Sequence, residues 1–91
     1  MSTAKILPAA DVFYQGADGN HVHLPADIPA AVPADSALDL CVTHSRAKYM
    51  DAADVPKEQA RHVGRLVATA QQIAAAAARA KWRREHAAKQ A

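Results

Sequence analysis

Apolar residues follow three rhythms along this chain, and each predicts a different element. Val12-Phe13-Tyr14-Gln15 and His21-Val22-His23-Leu24 flank Gly16-Ala17-Asp18-Gly19-Asn20. Two β-prone runs around strong turn chemistry predict a short β-hairpin over about residues 12–24. Pairing Gln15 with His21 sets Tyr14 opposite Val22 and Val12 opposite Leu24 on one face, leaving Phe13, His21 and His23 on the other. A hairpin alone is marginal in water, so it has to pack on the rest of the chain or on a partner.

The second rhythm is a proline repeat. An aliphatic residue followed by Pro-Ala occurs at Leu7-Pro8, Leu24-Pro25, Ile28-Pro29 and Val32-Pro33, the last three contiguous. Proline fixes its own φ, lacks an N–H and pushes the preceding residue toward extended geometry. Residues 24–35 are therefore expected to be an extended or serially turning strap, either a semi-rigid linker or a strap whose studs Leu24, Ile28 and Val32 lie along another surface. Residues 1–35 as a whole read as an N-terminal arm.

The third rhythm is helical. Ser36 is a good N-cap residue, and Leu38, Cys41, Val42, Ser45 and Tyr49 keep helical spacing, which predicts a helix over about residues 36–50. Asp51 to Pro56 breaks it and offers Asp54 as the next cap. From about residue 55 to 89 there is no second proline and alanine is dense, so one long helix of roughly 50 Å is expected. Val63, Leu66, Val67, Ala70, Ile73, Ala74 and Ala77 form its apolar stripe. The expected fold class is mainly α: an extended arm with a short β-hairpin, then a two-helix hairpin over residues 36–91 with one long C-terminal helix.

Composition thins the core of this picture. Of the 91 residues 24 are alanine, whereas Leu, Ile, Val and Phe together number only 16. Alanine buries little surface, so a partner or second copy is expected to supply missing burial. Charge is uneven. Residues 1–56 carry seven Asp against Lys5, Arg46 and Lys48, for −4, and residues 57–91 carry eight basic residues against Glu58 and Glu85, for +6. Opposite the apolar stripe, Arg61, Arg65, Gln72, Arg79, Arg83, His86 and Gln90 fall near one line down the predicted helix. Arg79-Ala80-Lys81-Trp82-Arg83-Arg84 adds the only tryptophan to the densest charge. Such a ridge is a solvated face, a dock for an acidic protein surface, or a phosphate-binding surface.

Catalytic chemistry finds little footing. Paired carboxylates, glycine-rich phosphate loops and Ser-His-Asp arrangements are absent from the sequence. Cys41 and His44, three apart on a predicted helix, lack a third orienting group. With His21 and His23 they make four zinc-type ligands, but the spacing fits no common finger pattern. No enzyme, cofactor, metal or small-molecule substrate is expected. A helix-turn-helix is disfavoured because the turn at 51–55 lacks the usual glycine and the second helix is too long. A lone cysteine suits a reducing compartment. Pro8 and Asp11 interrupt any signal-like apolar region, and no apolar run is long enough to span a membrane. The expected location is cytoplasmic, in a bacterium or phage-infected host.

The expected function is that of a small structural or adaptor protein attached to a larger assembly, in the form of a phage virion component at the capsid or connector. The alternative is a basic-helix binder of nucleic acid or of a nucleic-acid-handling complex. The expected partner-binding residues are Leu24, Ile28, Val32, Arg61, Arg65, Arg79, Trp82, Arg83 and Arg84.

Overall fold

The two β-prone runs around the glycine turn fold as the expected hairpin. In the computed structural model, which describes residues 3–16 and 18–90 (the last three by backbone alone), the elements run β1 (Thr3–Pro8), β2 (Val12–Gln15), β3 (His21–Leu24), β4 (Ala30–Pro33), α1 (Ala34–Leu38), β5 (Ala47–Tyr49), α2 (Val63–Leu66) and α3 (Ala70–Gln90). Strands β2 and β3 pair antiparallel with Val12 opposite Leu24, Tyr14 opposite Val22 and Gln15 opposite His21. Gly19 takes φ 86 in the turn, a left-handed conformation that glycine adopts without strain. Asp18 accepts from the Asn20 backbone N–H at 3.1 Å. Ala17 of the expected turn and the side chain of Gln90 lie outside the described residues.

The rest is not mainly α. The described residues form five strands in two antiparallel sheets, and the expected arm supplies the centre of the larger one. β1 lies between β4 and β5, pairing Ala4 with Val32 and Ile6 with Ala30 on one side, and Ile6 with Tyr49 on the other. Residues 30–33 of the expected strap are thus an edge strand, where Pro33 can be tolerated because an edge leaves one row of N–H groups unneeded. Pro8 ends β1, and its carbonyl accepts the Asp27 N–H at 2.9 Å.

The helix expected over residues 36–50 is also replaced. α1 starts at Ala34 with Pro33 as its cap residue, so Ser36 lies inside it. It widens into a π-helical turn over Asp39–Thr43, and Ser45, at φ 53, turns the chain away. Ala47 and Tyr49 then point into the core from β5 with Lys48 between them, a period of two where the helical spacing that includes Tyr49 predicts a helix tail.

The long helix expected over residues 55–89 is interrupted. Asp51, not Asp54, caps a 3-10 turn by accepting from Ala53 N–H at 2.9 Å. Pro56 opens a second 3-10 turn over Lys57–His62, and α2 ends at Val67, whose ψ of 133 is extended. There Val67 bridges Tyr49 in parallel, and Ala68 N–H donates to the Tyr49 carbonyl at 2.9 Å. A sheet edge has captured the backbone. The helix restarts with a reciprocal cap: Gln72 N–H donates to Thr69 Oγ1 at 3.1 Å, and Thr69 N–H to Gln72 Oε1 at 2.9 Å.

Two clusters of buried side chains result. The main core lies on the Ile6 face of the larger sheet, where α1 contributes Ala37, the π turn Leu40 and Cys41, the hairpin Val12 and Leu24, and α2 Leu66. Because Leu7 alternates with Ile6, it faces the other side, where Ala68 and Ala76 meet it with half-buried Met50 and Ile73. The expected single stripe is therefore divided: Leu66 and Val67 go to the main core and Ile73 to the second cluster, whereas Ala70, Ala74 and Ala77 are exposed and α3 buries Ala76 and Ala80 instead. No helix among the described residues is long and apolar enough to cross a membrane.

Candidate functional site

Asp27 organises the one strongly polar constellation among the described residues. It sits in the turn between β3 and β4 at φ 66, a left-handed conformation in which Asp and Asn are enriched among non-glycine residues. The preceding amide, Ala26 N–H, donates to Asp11 Oδ1 at 2.8 Å, so the turn is held from both sides. Its carboxylate is buried, only 8% exposed, and faces α3. Arg79 donates to it twice, from Nε at 3.1 Å and Nη2 at 3.0 Å, and Arg83 donates from Nη2. The Arg79 hydrogen bonds hold the Asp27 carboxyl below its ordinary value against the opposing effect of burial, with further help from the charges of both arginines. The same contact raises the Arg79 guanidinium. This is a clamp: an acidic residue of the N-terminal half ties α3 to the larger sheet.

Trp82 stands beside the clamp on the solvent side. It is 58% exposed and stacks on His86, with ring centroids 3.7 Å apart at 20°. His86 Nδ1 lies 2.8 Å from the Trp82 carbonyl, one turn back on the same helix. Ala78 and Ala75, one and two turns before Trp82 on its own side of α3, are also exposed. Lys81 and Arg84 are exposed and form no ion pair among the described residues.

The other residues expected to bind a partner are not gathered here. Leu24 and Val32 are core residues, 6% and 1% exposed, so of the three strap studs only Ile28, at 41%, is open to solvent. Arg61 lies in a 3-10 turn and Arg65 in α2. The interruption at Val67 removes both from the helical line of Arg79 and Arg83, so the ridge is not continuous. The Arg65 carbonyl accepts from Lys48 Nζ at 2.7 Å.

A second exposed aromatic, unforeseen as a site, lies on the hairpin's outer face. Phe13 is 63% exposed and stacks on His23 with centroids 4.8 Å apart. Shallow clefts flank it on both sides. One is lined by Asp11, Asp39, His44 and Arg46, the other by His21, Asp35, Ser36 and Asp39. Asp11 meets His23 at 3.9 Å and Asp39 meets His44 at 3.4 Å. The signal was present in the sequence, because a hairpin with Val12, Tyr14, Val22 and Leu24 inward must turn Phe13 out.

Cys41 is buried, and desolvation pushes its thiol up to about 12. It is a neutral core side chain at physiological pH and lacks the thiolate that a nucleophile or metal ligand needs. The four zinc-type ligands are not assembled: Cys41 belongs to the core, whereas His21, His23 and His44 are exposed. Among the described residues no three His, Cys, Asp or Glu side chains are grouped so as to hold a metal ion. No family model matches the chain, and no characterised protein or solved structure shows significant similarity to it.

Proposed function

We propose that this chain is a small non-enzymatic adaptor that attaches to a larger protein assembly through the outer face of α3. Trp82 is the observation that carries the reading. A large aromatic side chain exposed on a helix, beside exposed alanines that let another backbone approach closely, is the kind of anchor that dominates protein interfaces. The neighbouring Arg79 and Arg83 already share Asp27, so a partner covering this face does not have to bury two unpaired guanidiniums. Residues 3–8 and 30–33 are sheet strands, so attachment does not use a detached arm. A capsid- or connector-associated component of a phage virion is the form of assembly that the composition suggests.

The test is isolation of the complex from the native source with the wild-type chain and with Trp82→Ala. The same partner should be recovered in stoichiometric amount with the wild type and lost with the variant, with affinity falling roughly 30-fold or more for a tryptophan anchor. Full retention by Trp82→Ala would remove α3 as the attachment surface. Retention of duplex or single-stranded nucleic acid, weakened steeply by salt and by Arg79→Ala with Arg83→Ala, would instead support the nucleic-acid reading. Engagement of those two arginines by Asp27 weighs against it.

A further inference from the structure

Two exposed aromatic patches of opposite charge lie on different parts of this molecule. Phe13 is set between clefts containing Asp11, Asp35 and Asp39, with Arg46 the one basic residue that lines them other than histidine. Trp82 lies on α3, whose sequence carries Arg79, Lys81, Arg83, Arg84 and Lys89 against Glu85 alone. Among the described acidic side chains, only Asp27 meets an arginine or lysine. Among the described residues, the carboxylates around Phe13 thus have no arginine or lysine partner. The clefts at Phe13 are lined by the hairpin, α1 and the turns beside them. The cleft at Trp82 is lined by Asp27, Arg79 and Arg83, and the two sets share no residue. The two patches are therefore separate surfaces of one copy.

We infer that the acidic Phe13 face of one copy receives the basic, Trp82-bearing end of α3 from a second copy, so that the chain associates head to tail. Each patch offers what the other lacks. Phe13 and Trp82 supply the apolar contact, and Lys81 and Arg84 find the carboxylates of Asp35 and Asp39. Joining two different patches leaves one of each free at the ends of a dimer, so further copies add until a ring closes or a filament grows. Attraction between exposed charges of this kind is screened by salt. The inference deepens the adaptor reading and rests on it for Trp82, by making a second copy the first occupant of that face.

The experiment is measurement of mass in solution, by sedimentation velocity and light scattering, on the purified full chain. The wild type should rise with concentration to at least twice the monomer mass at low salt and return to the monomer at high salt. Phe13→Ala and Trp82→Ala should each remain monomeric. Mixed in equal amounts, they should associate and stop at two chains, because one variant keeps an intact Trp82 patch and the other an intact Phe13 face. Association of Phe13→Ala by itself would overturn the inference, as would a mixture that remains monomeric while both variants keep the wild-type circular dichroism. If a truncation disturbs folding, charge reversal carries the same test. Asp35→Lys with Asp39→Lys should abolish association, as should Lys81→Glu with Arg84→Glu, and all four changes on one chain should restore it; failure to restore counts against the inference. A monomeric wild type whose native partner is still lost with Trp82→Ala would sink the head-to-tail contact and leave the adaptor reading standing.

Discussion

At Asp27 three requirements meet in one residue: a left-handed backbone, a buried carboxylate and two arginine partners. Asparagine tolerates the same backbone, so Asp27→Asn removes the charge and keeps the turn. The two arginine side chains are 59% and 44% exposed, and solvent screens the pairs. The expected loss is about 1–2 kcal/mol, the lower part of the range for hydrogen bonds to a charged group, read as a shift in urea midpoint. Because the folded carboxyl lies below its ordinary value of 3.8, its contribution is complete above that value. It disappears as pH falls from there through the lower folded value, so Asp27→Asn should flatten the acid limb of the wild-type stability profile below about pH 4. An unchanged acid limb would mean that the clamp is not formed in solution. Tyr49 presents the reverse case. It is 1% exposed, and its hydroxyl has no hydrogen-bond partner among the described residues. An unmade buried hydrogen bond costs about 1–3 kcal/mol, so Tyr49→Phe should stabilise the fold, by about 1 kcal/mol in thermal unfolding. A loss of that size would show that the hydroxyl has a partner.

Between residue and fold stand the elements, and they differ in how far their own sequence specifies them. The hairpin was legible because β propensity and turn chemistry are both local, and its register follows from pairing Gln15 with His21 across the turn. α3 was legible from alanine density, though its start was not. Strands β1, β4 and β5 escaped because they are short, contain Ala, Lys and Pro, and acquire their extended form from partners far along the chain. Asp27 escaped for a related reason, since its partner Arg79 is 52 residues away. The break before α3 did carry a local signal, Thr69-x-x-Gln72, which the uninterrupted helical spacing concealed. The cap makes α3 a separate element whose N-terminus depends on Thr69. Thr69→Ala should lower stability by about 1 kcal/mol, and hydrogen exchange should show the loss first in the opening turn of α3. If residues 63–90 were one continuous helix, position 69 would be interior and alanine would stabilise it.

For the molecule as a whole, the scarcity of large side chains concentrates stability in few places. The largest fully buried ones include Tyr49, Ile6 and Val32, and Ile6 stands between the other sheet strands, opposite Ala30 on one side and Tyr49 on the other. A domain of this length is stable by only about 5–14 kcal/mol. Truncating a buried isoleucine to alanine removes about 2–5 kcal/mol, a large share of that total, because the alanines around it have little side chain with which to fill the space. β1 supplies hydrogen bonds to both β4 and β5, and β5 in turn holds the chain at Val67 and Ala68 before α3 begins. Loss at Ile6 should therefore spread through all of these elements. Ile6→Ala should reduce hydrogen-exchange protection by a similar factor in residues 3–8, 30–33 and 47–49. Protection lost from residues 3–8 alone would make them an appended arm after all. A shared loss identifies β1 as the strand on which the larger sheet is assembled, with the basic half of the chain joined to that sheet through β5.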